Sequence, residues 1–91
     1  MIETPENRLK RMRLRSWRRG TKEMDIVLGT YADATLAQMA PAEIEAFEAL
    51  LAEQDQDLMR WVFGEVTPPP EHADLIATLT RFAAARYTPG I

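Results

Sequence analysis

Few side chains in this sequence could do chemistry. There is one histidine, His72, and no cysteine. A lone histidine without cysteine offers no spacing for a structural zinc site and no clustered base for nucleophilic catalysis. It stands just after a proline run at a helix start, and reads as a surface histidine. Asp55 and Asp57 alternate as in some calcium loops, but the glycine and closing glutamate of the full pattern are missing. They read as helix-cap residues, either of which can cap the helix that follows. No glycine-rich phosphate loop is present, which argues against nucleotide binding by the chain alone. No catalytic residue, metal site or stably bound cofactor is therefore expected.

One constellation remains, Trp17-Arg18-Arg19-Gly20-Thr21-Lys22-Glu23-Met24-Asp25. Gly20 leaves the backbone uncovered, so another molecule can approach closely. Glu23 falls in the first turn of a helix, where the dipole stabilises its carboxylate. Arg18 and Arg19 can offer forked donors to carboxylate or phosphate. Together these could form a small polar recognition surface. Equally, Gly20 could be only a helix cap, Glu23 only a first-turn carboxylate, and the arginines only solubilising charge.

Helices must position this constellation. The first spans about residues 6–18 and ends before Gly20, a residue suited to the left-handed conformation that closes a helix. Its apolar residues, Leu9, Met12, Leu14 and Trp17, form no single stripe, so its apolar surface is shared between the core and something else. The second runs from about Thr21 to Gln38, with Met24, Val27, Leu28, Tyr31, Thr35 and Met39 on one buried face. Gly29 sits mid-helix at a cost of about 1 kcal/mol relative to alanine; close approach of another helix would explain it, and a harmless surface glycine is the alternative. The third begins at Pro41, with Ile44, Phe47, Leu50 and Leu51 inward. The fourth is short, carries Leu58, Trp61 and Val62, and ends at Gly64. Pro68, Pro69 and Pro70 form a stiff connector. The fifth runs from about Glu71 to Tyr87, with Leu75, Ile76, Leu79, Phe82 and Ala83 inward. No segment alternates like a strand. The expected fold is an all-α, compact five-helix bundle in one domain, ordered over about residues 6–87, with residues 1–5 and 88–91 as flexible tails.

Composition agrees. The chain has 91 residues, 46% apolar and 27% charged, which suits one small soluble domain with a narrow stability margin. No apolar run approaches the roughly 20 residues that span a bilayer. The N-terminus lacks the apolar segment of a secretory signal, and the chain reads as cytoplasmic. The net charge of −3 hides an asymmetry. Arg8, Lys10, Arg11, Arg13, Arg15, Arg18, Arg19 and Lys22 make the first 22 residues strongly basic, whereas the remainder is strongly acidic. A basic arm on an acidic body invites a polyanion-binding hypothesis. On the sequence alone that is outweighed by a solvated helix face partly neutralised by the acidic body.

The run Arg19-Gly20-Thr21-Lys22-Glu23 resembles the Arg-Gly-x-x-Glu signature of the SdhE family of succinate dehydrogenase assembly factors, some of which also carry the name antitoxin CptB. The similarity extends from Arg15 through Leu28-Gly29. It continues over Glu43, Phe47, Glu48, Leu50 and Leu51, then Asp55, Asp57, Leu58, Trp61 and Gly64, and a proline-rich connector follows. It covers about residues 8–80. Thr21 and Lys22 depart from relatives that carry an apolar residue first.

The resemblance implies a bacterial, monomeric protein that is not an enzyme. It would bind the flavoprotein subunit of succinate dehydrogenase, or of fumarate reductase, and promote covalent attachment of FAD to a histidine of that partner. Carried over by motif position, Arg19, Gly20 and Glu23 are the contact residues, flanked by Arg18, Asp25 and Trp17. Gly20 would permit close backbone approach, Glu23 would accept a hydrogen bond, and Arg19 would anchor the edge. Two other readings stay open. One is a basic-arm binder of nucleic acid or another polyanion, although the overall acidity and the lack of a nucleic-acid fold pattern argue against it. The other is an antitoxin-like regulator.

Overall fold

The computed structural model describes residues 3–86, whose regular structure is entirely helical. The α-helices are α1 (Pro5–Trp17), α2 (Lys22–Thr35), α3 (Pro41–Leu51), α4 (Asp55–Val62) and α5 (Ala73–Arg86). A 3₁₀ turn, Leu36–Gln38, continues α2, and a second, Pro70–His72, precedes α5. The five expected helices are present. The expected 88–91 tail, Tyr87 and the first two residues lie outside the described residues.

Local chemistry sets most helix ends. The Thr4 hydroxyl accepts the Asn7 N–H at 3.2 Å and Pro5 opens α1, one residue before the expected helix start. The Thr21 hydroxyl accepts the Met24 N–H at 3.3 Å and caps α2. Pro41 opens α3, and a Glu43 carboxylate oxygen takes the Ala40 N–H at 2.8 Å. Gly64 closes α4 with φ 78°, while the Glu65 N–H returns to the Arg60 carbonyl at 2.8 Å. A side chain there would be strained, which is why glycine serves.

Two expected caps are not found. Gly20 does not close α1 in the left-handed region: among the described residues Gly64 alone has positive φ. Helix α1 instead runs out at Arg18, with φ −118° and ψ 53°. Nor does Asp55 or Asp57 cap α4. The capping position belongs to Gln54, whose side chain makes no capping bond, and Asp55 is the first helical residue. Both differences have one cause, the destination of the Asp55 carboxylate described below.

Helices α1 and α2 form an antiparallel hairpin. Arg13 reaches Asp33 at 3.3 Å, and Trp17, one turn later, lies on Gly29, one turn earlier. Helix α3 runs beside α1 in the same direction, since Arg8 bonds Glu48 and Arg15 bonds the Leu51 carbonyl. The core between the helices is built from Met12, Met24, Leu28, Leu36, Phe47, Leu50, Leu58 and Leu79, all essentially inaccessible. Each such side chain contributes about 1.5–3 kcal/mol by leaving water. The Tyr31 ring stands edge-on between Phe47 and Phe82, with centroids 5.6 and 5.3 Å away, the arrangement that ring quadrupoles favour. As its unclean stripe predicts, α1 buries Met12 but leaves Leu14 54% and Trp17 39% exposed.

His72 is not a surface residue. It is 5% exposed, its ring tilted against Trp61 at a centroid distance of 5.8 Å. Its Nε2 hydrogen-bonds a Glu53 carboxylate oxygen at 2.8 Å. The 3₁₀ turn after the prolines carries the ring under Trp61, and the Glu53 bond satisfies a polar group that would otherwise be costly to bury.

Candidate functional site at the α1–α2 corner

The corner between α1 and α2 holds all six residues singled out in the sequence, but it divides them into two groups. Arg19 turns back into the molecule. Its Nε donates to Asp55 Oδ1 at 2.6 Å, while Nη1 and Nη2 donate to the Leu51 and Glu53 carbonyls at 2.7 Å each. Its side chain is only 10% exposed. The guanidinium fork thus satisfies the carbonyls where α3 ends, groups left without helical partners there, and ties the corner to the turn between α3 and α4. Charge-assisted bonds of this kind are roughly twice as strong as neutral ones.

The other oxygen of Asp55 accepts the Gly20 N–H. The Arg19 N–H is taken by Asp25 Oδ1 at 2.5 Å. Two carboxylates therefore satisfy the backbone donors just past the end of α1, and no left-handed glycine cap is needed. An added Cβ at Gly20 would lie 2.6 Å from Asp55 Oδ2. Trp17 is also engaged: its Nε1 donates to Asp33 at 3.2 Å, and its ring fills the space a side chain at Gly29 would occupy. Close approach of α1 thus accounts for the mid-helix glycine.

What stays open is smaller. The Gly20 backbone, Glu23 and Arg18 are exposed, and the charged groups of Glu23 and Arg18 make no hydrogen bond or ion pair among the described residues. Glu23 lies in the first turn of α2, where its charge meets the positive end of the helix dipole. It also stands at the rim of a mostly apolar groove of about 580 Å³ that continues over Ile26, Val62, Phe63 and Ala83. The corner is an acceptor beside a bare stretch of backbone, held rigid by Arg19, Asp25 and Asp55.

Sequence reasoning missed Asp55 and Glu53 as parts of this site. Asp55 lies 36 residues from Arg19, and its only local signal, a carboxylate at a helix start, pointed to capping.

The basic arm is partly neutralised. Arg8 and Arg11 both bond Glu48, at 2.6 and 2.5 Å, and Arg11 also bonds Glu3 at 2.9 Å. The Arg11 guanidinium first, then that of Arg8, holds the Glu48 carboxyl below the usual carboxylate range. Arg11 does the same to Glu3. Arg13, Arg15 and Arg19 are likewise committed. Of the basic arm, Lys10, Arg15, Arg18 and Lys22 have no acidic partner among the described residues, Arg15 being held by the Leu51 carbonyl. No group of acidic, histidine or cysteine side chains among the described residues could hold a metal ion, and no helix there is long and apolar enough to cross a membrane.

The sequence has known relatives. The family model described as flavinator of succinate dehydrogenase (Sdh5) matches residues 10–83. The FAD assembly factor SdhE of Acetobacter pasteurianus is 35% identical over 66 residues, covering 72% of this chain and 61% of that protein. The mitochondrial succinate dehydrogenase assembly factor 2 of Mycosarcoma maydis is 36% identical over 59 residues, 65% of this chain and 25% of that protein. The SdhE of Legionella pneumophila is 29% identical over 72 residues, 79% of this chain and 91% of that protein. The matched region thus spans less than two thirds of the first two relatives and nearly all of the third. The matched span takes in the α1–α2 corner, the α3–α4 turn that braces it and most of α5, so the chain belongs to the Sdh5/SdhE family of assembly factors, the flavinators of succinate dehydrogenase.

Proposed function

We propose that this protein is an FAD assembly factor, not an enzyme, that docks on the flavoprotein subunit of succinate dehydrogenase, or of fumarate reductase, through the α1–α2 corner and promotes covalent attachment of the flavin there. Family membership supports the activity. One observation supports the location: Glu23 is an exposed, uncommitted carboxylate beside the exposed Gly20 backbone, on a corner already braced from within.

The chain contributes position rather than chemistry. FAD is carried by the partner and bonded to a histidine of the partner. Glu23 accepts a hydrogen bond from the partner, and Arg18 supplies a forked donor at the edge. Arg19 acts one step back, through the corner it holds. Because the corner is preformed, docking forfeits little conformational freedom. Its binding energy favours a flavoprotein conformation in which histidine and flavin lie within reach. The expected setting is the bacterial cytoplasm, in keeping with the bacterial relatives.

The test is deletion of the factor in its native cell, followed by measurement of covalent flavin in the succinate dehydrogenase flavoprotein. Flavinylation should fall sharply and return with the wild-type gene but not with Glu23→Ala. Undiminished flavinylation in the deletion strain would remove the assignment. A polyanion-binding role predicts the opposite sensitivities, strong salt dependence and indifference to Glu23. The ion pairs of Arg8, Arg11, Arg13 and Arg19 commit half of the basic arm's charge within the molecule. An antitoxin-like role would be marked by co-purification with a membrane toxin and no flavoprotein.

A further inference from the structure

We infer that Asp55 is a positioning residue for flavoprotein docking, and that the glycine at position 20 is required by Asp55 inside this molecule before it is required by any partner. The inference rests on the corner being the docking surface, as proposed above. Gly20 is exposed, yet the direction in which its side chain would grow leads to Asp55 Oδ2, at 2.6 Å from the missing Cβ, and not to open solvent. That carboxylate is not free to swing aside. One oxygen holds the Gly20 N–H and the other the Arg19 Nε, and the Arg19 fork is anchored in turn on the Leu51 and Glu53 carbonyls. A methyl group at position 20 would push Asp55 Oδ2 aside and disturb its bond to the Gly20 N–H.

The consequence is a division of labour within one short motif. Arg19 and Gly20 face inward, as the two halves of a socket for a carboxylate contributed by the start of α4. Glu23 faces outward. Asp55 sets the path of the backbone through residues 19–20, and so sets where Glu23, at the start of α2, is presented. Asp25 assists by taking the Arg19 N–H. His72 reaches the same brace from the 3₁₀ turn before α5, because the Glu53 whose carbonyl receives Arg19 also bonds His72 through its side chain.

The experiment is a double-mutant cycle on the full chain, with binding to purified succinate dehydrogenase flavoprotein subunit as the readout. Melting curves establish that each variant is folded at the assay temperature, and the Gly20 amide resonance reports the carboxylate bond. Gly20→Ala and Asp55→Ala should each weaken binding by on the order of tenfold, the usual scale for a lost charge-assisted bond. The double variant should be no worse than Asp55→Ala alone, because the added methyl then meets open space. The Gly20 amide should move upfield in Asp55→Ala. Asp55→Asn, which keeps the shape but not the charge, should fall between and serves if Asp55→Ala does not fold. Penalties that multiply in the double variant would mean that the partner itself demands the glycine, and would overturn the inference. So would a lowered melting temperature with an unchanged dissociation constant, which would make Asp55 a stabilising residue only. Glu23→Ala separates the two levels. If it leaves binding intact, the docking surface is wrong. If it abolishes binding while the Asp55 variants bind normally, only the present inference fails.

Discussion

Glu23 and Arg19 sit four residues apart in one motif, yet their environments are opposite. Arg19 is spent on three internal acceptors, whereas Glu23 is exposed and uncommitted. Substitution should therefore separate stability from binding. Glu23→Ala is expected to leave the unfolding free energy within about 0.5 kcal/mol of wild type, as for surface changes away from special features. It should lose at least about 1.5 kcal/mol of flavoprotein affinity, the lower end for a hydrogen bond to a charged group. Urea titration and binding to the purified subunit, run side by side, check this. His72 should behave the other way. Its ring is buried against Trp61 and bonded to Glu53, so His72→Ala opens a gap and removes that bond. A loss of about 1–3 kcal/mol in urea unfolding is expected.

At the scale of elements, the α1–α2 hairpin depends on the ring of Trp17 lying on the bare backbone of Gly29. Two effects of Gly29→Ala oppose one another. Alanine gains about 1 kcal/mol of helix propensity over glycine. Against that, its Cβ falls inside the Trp17 ring, and overpacking of this kind costs about 1–3 kcal/mol. Moving the ring also gives up the Trp17–Asp33 bond. The net expectation is destabilisation by about 1 kcal/mol, with Trp17 swung into solvent. In a Trp61→Phe background, where Trp17 is the sole tryptophan, its emission should shift to the red. An unshifted spectrum with raised stability would mean that the ring does not hold the helices together.

Across the whole molecule, charge is arranged so that a basic helix lies on an acidic body. Glu48 is the centre of that contact, accepting from Arg8 and Arg11 with its side chain 26% exposed. Both guanidinium groups lower its pKa, that of Arg11 more. A carboxylate depressed in the folded state contributes stability that is complete above its unfolded value, 4.5 here, and is lost as pH falls through the folded value. The clamp between α1 and α3 should therefore hold at neutral pH and begin to weaken below about pH 4.5. Because the partners are partly exposed, its worth is on the order of 1 kcal/mol. Thermal melts across that range should show wild type falling toward Glu48→Gln on acidification, with the gap between them widest at neutral pH. Parallel curves down to pH 3 would show that the pair adds nothing. The same pairing predicts that flavoprotein binding survives moderate salt, since few cations of α1 remain to release counterions.

Much of this protein could be read from spacing alone. Periodicity located all five helices, the inward faces of α2 and α3, and the surplus apolar surface of α1. Thr21, Pro41 and Gly64 marked boundaries because capping is settled within a few residues of chain. Gly29 stood out as a costly mid-helix glycine, and the structure chose between a close approach and a surface position by laying Trp17 on it. The short motif at the corner was also legible, but not the different duties of its members. Only the tertiary structure decided that Arg19 and Gly20 turn toward Asp55, that Asp55 is therefore no cap, and that His72 is enclosed. Each of these depends on a partner 19 to 36 residues away. Hydrogen bonds across such separations are chosen by how helices pack, and packing is set by the summed burial of the core rather than by the neighbours of any one side chain.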